Sequence, residues 1–536
     1  MVIPLSVASI LQDHVTLEVE CVDRMYLNVY IPKLQSDVDV CQFFRKHRGA
    51  TFASSALMDP ISKGFVRSLD KFASQHNIPV LTFKKGQRKD DIAKEHLAKF
   101  NADEGVLFIG KAQEKARVLR TERRWTKDGK PYPYLVYSSA MVNYYYIYCV
   151  DRDFGPFFLK FCTYFPYNGK LCINGHEYAK RQLMKENIEF KALDNGIESC
   201  QNPERLQQIC DEFSAQTIWA LFDKWMSVLP QAFTQEDRDA GYRYNLSILQ
   251  VEFSLTQVFD RAVTGRYFFE QVIRENLDIG RPDHVQLIFG RRIIKTTPGR
   301  FRTRVITDGV IPSLHIDYKN CRIKQYFKEG RALRTEITIN ETKDFGLRKS
   351  LTDSNLASLR EIGFKANRQL LNVQRISHDP ALGQKTIDLM QSPVIVNSVR
   401  ASALPLGDAK AHALLQALPI FDLQVNGFSN ADLRQRLAPL LGKRPEQLSQ
   451  GQMTYNLRRL KLRGLIQRIP KTQRYYVTDQ GLSVALFYIT AYDRLLRPGL
   501  AESLNPDETT NSQLGAAFRS LNKALNKHFQ GYSAAV

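Results

Sequence analysis

No segment of the 536-residue chain strings together the eighteen or so apolar residues that a membrane-crossing helix needs. The tyrosine-rich run MVNYYYIYCV stops well short. The apolar start MVIPLSVASILQDH lacks a basic region and meets Asp13 early, so no signal peptide is expected. Cysteine is sparse: eight residues are spread widely with no C-x-x-C pair. That usage fits a reducing compartment better than a disulfide scaffold, and a cytoplasmic location is expected. Cys149, Cys162, Cys172 and His176 follow no standard ligand spacing, so zinc is disfavoured. Repeats and low-complexity tracts are absent. Asp153-Phe154-Gly155 and Asp344-Phe345-Gly346 spell a kinase triplet without the Gly-rich or catalytic loops that give it meaning, and read as turns.

Acidic residues are also short. The chain holds 75 Lys and Arg against 55 Asp and Glu, a net charge of +20 with pI near 9.5. An excess of this size favours nucleic acid as the partner. With 43% hydrophobic residues the chain builds real cores, and its length suits several domains. Oligomeric state is not legible.

The expected class is α+β and multidomain: an N-terminal α/β unit (1–125), an aromatic-rich region of strands and helices (126–240), a basic antiparallel-sheet domain with helices (241–400), a three-helix domain with a hairpin (405–500) and a polar tail (501–536). Residues 15–31 suggest two strands. Then come a helix from Ser62 to His76, a buried strand at 78–83, a helix from Lys89 to Phe100 and a second buried strand at 105–110. Gly110-Lys111 at the end of that strand resembles a phosphate cradle opening a helix, but the full G-x-x-x-x-G-K-[ST] pattern is missing. A basic strip of Lys111, Lys115, Arg117, Arg120, Arg123 and Arg124 is the stronger reading, as phosphate contacts. The aromatics from Tyr132 to Tyr167 are expected to be mostly core, with a subset free to stack on bases. Residues 242–276 read as mostly helical. Glu252, Asp260, Glu270 and Glu275 lie there, and salt bridges on a polar face explain them more simply than a metal cluster.

Between 295 and 349, thirteen Lys or Arg stand against six Asp or Glu. Four runs there alternate with period two, separated by Gly, Pro or Asn, which predicts a meander of hairpins. One face is expected to be apolar. The other collects Arg300, Arg302, Arg304, Arg322 and Arg334 for a polyanion, with His315, Asp317, Lys324, Tyr326 and Glu336 among them. Those five are the candidate catalytic set: phosphodiester cleavage uses metal-holding carboxylates or His, cations for the charged transition state, and a water or Tyr nucleophile. His315, Asp317 and Glu336 are the candidate ligands for Mg2+ or Mn2+. Leu314-His315-Ile316-Asp317 faintly resembles the histidine-hydrophobic-histidine strand of rolling-circle replication initiators, with Asp317 in place of the second histidine and no helical tyrosine to act as nucleophile.

From Asp408 the chain reads as a helix, a second opening at Ser429, a third opening at Ser449, two short strands (LIQRIP and RYYVT) and a long helix from Asp479. This succession, with L-R-R-L-K-L-R-G-L-I-Q-R and R-Y-Y-V-T-D-Q-G-L, resembles a winged helix-turn-helix DNA-binding domain over about 405–500. The resemblance implies that Thr454, Tyr455, Arg458 and Arg459 approach base edges, with Lys461 on the same helix, and that Lys471 and Arg474 meet the backbone. Three functions follow: a DNA- or RNA-binding protein that cuts or rejoins its substrate by metal-dependent chemistry, a non-catalytic regulator or ribonucleoprotein component, or a small-molecule enzyme on the N-terminal α/β unit with an accessory winged helix.

Overall fold

The computed structural model describes residues 10–11, 13–84, 86–277, 288–289, 298–308, 311–376, 387–396, 399–405, 407–421 and 427–492. The chain divides into two compact units, Met1–Val285 with Thr296–Leu370, and Gln286–Lys295 with Leu371–Val536. The polar tail from 501 lies outside the described residues.

The first unit is built on β1 (Val15–Tyr30), β2 (Val80–Thr82), β3 (Gly105–Trp125), β4 (Pro131–Asp151), β5 (Gly155–Cys162), β6 (Gly169–Asn174), β7 (Phe190–Leu193), β8 (Gly196–Cys200), β9 (Asn245–Phe259), β10 (Arg300–Asp308), β11 (Ile311–Lys319), β12 (Cys321–Lys328) and β13 (Ala332–Ile339). Eleven of them form one sheet in the order β10-β11-β12-β13-β9-β1-β6-β5-β4-β3-β2, and β7 and β8 make a separate hairpin. The large sheet is mixed: β2 runs parallel to β3, and the other neighbours are antiparallel. With its helices, the protein is α+β. β1 pairs with β9 on one side and β6 on the other. The N-terminal strand therefore sits at mid-sheet, and the boundaries expected near 125 and 240 both fall inside this unit.

Three local expectations change. Residues 15–30 form one strand bent by register shifts between Val22 and Met25, because a bulge re-aims a strand without ending it. The chain does not turn into a helix at Gly110; β3 runs on to Trp125, paired residue for residue with β4. Residues 245–259, read as helical, are the central strand β9. Its alternate residues pack on both faces, with Ile248, Val251, Phe253 and Leu255 at the core.

The helix Asp353–Ile376 packs on β9, where its Phe364 meets Phe253 edge-on at 5.4 Å and Asn367 Nδ2 donates to the Phe253 carbonyl at 2.9 Å, and the helix Ala262–Leu277 lies along the outer strands. The helix Ala215–Val228 is pinned to the end of β4, where Trp225 Nε1 and Lys224 Nζ each donate to Asp151 at 2.8 Å. Tyr145, Tyr146, Tyr148, Phe157 and Phe161 are buried, so this part of the aromatic region is core. The helix Lys89–Ala98 packs over Tyr146 and Tyr148 through Ile92, Ala93 and Leu97. No helix among the described residues is long and apolar enough to cross a membrane.

In the second unit, helices Ala409–Phe421, Asn430–Leu440 and Gln450–Leu462 precede β16 (Ile466–Arg468), β17 (Tyr475–Val477) and the helix Asp479–Thr490, with the short hairpin of β14 (Val394–Val396) and β15 (Val399–Ala401) ahead of them. Ser429 and Ser449 close reciprocal capping boxes with Asp432 and Gln452, which satisfies amides otherwise orphaned at a helix start. Leu414, Leu418, Leu433, Leu437, Leu457 and Leu460 are among the core residues.

Candidate nucleic-acid interface

Strand register places the candidate residues of the outer sheet in cross-strand rows, because side chains on one face recur every second residue. Arg302, Asp317 and Arg322 are opposite one another; the next row is Arg304, His315, Lys324 and Glu336; the next runs from Ser313 through Tyr326 to Arg334. Asp317 is buried, and three guanidiniums converge on it: Arg302 Nε at 3.0 Å and Arg304 Nη2 at 3.0 Å on one oxygen, Arg322 Nε at 2.7 Å on the other. Burial works against its charge, but the hydrogen bonds from Arg322 and Arg302 hold the carboxyl below its ordinary value. Burial, followed by Arg322, Lys324 and Arg304, pushes His315 down to about 4. Its ring is neutral at physiological pH and bonds Ser313 Oγ through Nε2 at 2.9 Å.

Glu336 lies two strands from His315, with Lys324 between them; at about 4.8 Å per strand the two backbones are roughly 10 Å apart. Oxygen and nitrogen ligands sit about 2.0–2.6 Å from an ion, and Asp317 is already held by three arginines. No group of three His, Cys, Asp or Glu placed to hold a metal occurs among the described residues.

Tyr326, Lys324 and Glu336 do come together. Tyr326 Oη donates to Glu336 Oε2 at 3.2 Å, and Lys324 Nζ lies 4.2 Å from the Tyr326 ring centroid. Burial, then the neighbouring Asp23, pushes the Glu336 carboxyl up to about 7 against the pull of Arg334 and Lys324. Arg334 itself, expected as a phosphate contact, is 0% exposed. Its guanidinium donates to Thr256 Oγ1, to the Asn195 carbonyl and to Asp23 Oδ2 at 3.2 Å. It is a buried tie between β13, β9, β1 and the β7–β8 turn.

The basic strip lies on a long two-stranded ribbon that packs on the body of the unit as far as Thr121, where Val118, Leu119, Leu135 and Val142 are buried and the Ser55 amide donates to Thr121 Oγ1. β2 accompanies β3 only at residues 109–111, and β5 accompanies β4 only at 144–151. Beyond those points residues 112–125 have 131–144 as their strand partner, roughly 45 Å of two-stranded ribbon at about 3.3 Å per residue. The tip closes through Thr126 N to the Lys130 carbonyl at 2.9 Å and Gly129 N to the Thr126 carbonyl at 3.0 Å, with Gly129 at φ 72°, a left-handed position that favours glycine. Lys115, Arg117, Arg120, Arg123 and Arg124 are exposed. Lys111 is not part of a phosphate cradle: it sits mid-strand, 3.2 Å from Asp70. Gly110 before it has a packing reason, since a Cβ there would stand 2.3 Å from the Phe83 ring.

In the second unit, the helix Gln450–Leu462 buries Met453, Leu457, Arg459 and Leu460 and exposes Thr454, Tyr455, Arg458 and Lys461. Arg459 therefore departs from its expected role at base edges. Its guanidinium donates to the carbonyls of Ser402 and Ala403 and holds the segment after β15. Lys471 is exposed at the tip of the β16–β17 hairpin with φ 59°. Arg474 is drawn back onto the Gly427 carbonyl at 2.8 Å. Arg300 and Arg302 are exposed, and Arg304 and Arg322 partly so.

Trp125, Lys127, Lys130 and Met141 escaped the sequence reading. Their signal was the K-D-G turn at 127–129, flanked by residues that alternate about it. The chain matches no family model, no characterised protein and no solved structure.

Proposed function

We propose that this is a nucleic-acid-binding protein whose second unit engages duplex DNA as a winged helix-turn-helix. The observation that carries the reading is the exposed row Thr454, Tyr455, Arg458 and Lys461 on a helix whose other side is buried, with the β16–β17 hairpin and its exposed Lys471 following directly. A B-form major groove admits a helix presented in this way, whereas the deep, narrow groove of A-form RNA does not. The outer strands of the first unit add a fixed cationic face, since one Asp317 carboxylate accepts from three arginines and leaves the cluster with a positive excess for phosphate. Binding of the full chain to duplex DNA should weaken linearly on a log–log salt plot. Arg458→Ala with Lys461→Ala should flatten that slope by about 2, close to one counterion per cation removed. A slope unchanged in the double variant refutes the placement of this helix at the DNA.

A second reading, phosphodiester cleavage, is favoured by one observation, the hydrogen bond between Tyr326 and Glu336. A carboxylate poised near neutrality beside a hydroxyl suits general-base activation of a nucleophile. The three arginines already bonded to Asp317 count against its metal-dependent form through His315, Asp317 and Glu336. Labelled DNA or RNA incubated with Mg2+, Mn2+ or EDTA tests it. Cleavage that survives both Tyr326→Phe and Glu336→Gln excludes this pair, and an intact substrate in every condition leaves the protein as a non-catalytic binder.

A further inference from the structure

The β3–β4 ribbon is strongly basic. From 115 to 143 it carries seven Lys or Arg against two acids. Arg120 pairs with Glu122 at 3.2 Å, and the other six cations make no ion pair among the described residues. Register puts Lys115, Arg117, Arg123, Trp125, Tyr137 and Met141 on one face. Leu119 and Leu135, in the middle of that face, are buried and Thr121 bonds Ser55, whereas at its two ends Trp125 and Met141 are each 61% exposed, with Tyr137 36% exposed. Arg117 Cζ lies over Tyr137 at 3.7 Å from the ring centroid, and on the opposite face Arg124 Cζ lies over Tyr134 at 3.6 Å. The Tyr137 hydroxyl donates to the Gln35 carbonyl at 2.7 Å, which fixes the ring. The Arg117 guanidinium thus rests on a ring that is itself held in place.

We infer that this face binds a single-stranded polynucleotide, with bases stacked on Trp125 and on the outer plane of the Arg117 guanidinium, and phosphates running along Lys115 and Arg123. The inference rests on the nucleic-acid reading above and adds the form of the ligand. Charge complementarity alone suits a duplex equally well. The exposed indole and thioether distinguish the two, because paired bases present their edges in the grooves and keep their faces stacked on one another. Unpaired bases expose faces that stack on rings and guanidinium planes. A ribbon inserted into a duplex groove is the competing outcome.

The experiment titrates the full chain with oligo-dT, oligo-U and a duplex of equal length, reading tryptophan fluorescence and affinity. The chain has three tryptophans; Trp225 is buried and Trp219 is partly buried, donating to the Leu351 carbonyl. Quenching by a single strand should therefore vanish in Trp125→Phe. Arg117→Ala with Trp125→Ala should weaken single-strand binding by tenfold or more, in line with the loss of about one stacked base, while duplex affinity stays within about twofold and the melting temperature is unchanged. A preference of the wild type for oligo-U identifies the strand as RNA and a preference for oligo-dT as DNA; comparable binding means that both are accepted. Unchanged single-strand affinity in the double variant, equal losses on single strand and duplex, or quenching that persists in Trp125→Phe each overturn the inference. Failure to bind the duplex while single-strand binding remains sinks the winged-helix reading and leaves this one standing.

Discussion

Glu336→Gln should make the first unit more stable at pH 8 and leave it nearly unchanged at pH 4.5. The Glu336 side chain is 16% exposed, and its carboxyl is raised from 4.5 to about 7, first by burial and then by Asp23. Between those two pH values the folded protein holds a proton that the unfolded chain has released. Stability therefore falls as pH rises through the window and stays lower above it. At about 1.4 kcal/mol per pH unit the full interval corresponds to about 3 kcal/mol, and the residual exposure argues for a gain on the order of 2–3 kcal/mol. Glutamine stays neutral throughout, and its carbonyl oxygen still accepts from Tyr326 Oη. The assay is urea unfolding at pH 4.5, 6.5 and 8. Intrinsic fluorescence reports the first unit, since Trp125, Trp219 and Trp225 all lie within it. The readout is the difference between wild type and variant, so other titrating groups cancel. A variant that is equal to or less stable than wild type at pH 8 refutes the argument. Success would carry a functional implication as well: a residue that costs stability in its native ionised form is a candidate for a task that needs it, and Glu336 is the base in the cleavage reading.

Two further perturbations separate roles that composition merges. Arg459→Ala should lower the melting temperature of the second unit, at a cost of about 2 kcal/mol for stranding the Ser402 and Ala403 carbonyls; Arg458→Ala should leave melting unchanged and weaken duplex binding by about tenfold or more. Calorimetry with a binding titration checks both, and a reversed pattern would exchange the two assignments. Asp317→Asn should cost about 1–3 kcal/mol at pH 7 and steepen the salt dependence of nucleic-acid binding. Because the Asp317 carboxyl is held below 3.8, its stabilisation is present above about pH 4 and is lost as pH falls further. The gap between wild type and variant should accordingly close in acid; a gap that persists or widens below pH 3 contradicts the sign.

The outer strands were legible because their alternation is written residue by residue: a cation or carboxylate at 302, 304, 317, 322, 324 and 336, with mostly apolar neighbours between. β9 was not, because a strand buried on both faces loses its period. Leu246, Ile248, Val251, Phe253, Leu255 and Val258 satisfy helical spacing nearly as well as alternation. β3 beyond Gly110 was hidden differently. Its Ala, Gln, Glu, Lys and Arg favour helix locally, and the strand is imposed by pairing with β4, a partner whose Tyr132, Tyr134, Val136 and Tyr137 favour strand. A helix there would have hidden the ribbon altogether, since Trp125 and Tyr137 share a face only through their register.

The same limit governs the site. Charge is legible in sequence, but its surroundings are not. Arg334 reads as a phosphate contact and Arg459 as a base-edge contact because arginine in a basic run usually meets a polyanion, and both are instead satisfied internally, by Asp23, Thr256 and Asn195 in one case and by backbone carbonyls in the other. Buried guanidiniums persist only where acceptors surround them, and those acceptors lie 56 to 311 residues away in sequence. A cation that organises the fold and a cation that meets a ligand are thus separated by partners remote in the chain. For that reason the decisive comparison in each unit pairs a buried arginine with an exposed one, Arg334 with Arg117 and Arg459 with Arg458: removal of the first should move stability, and removal of the second should move affinity.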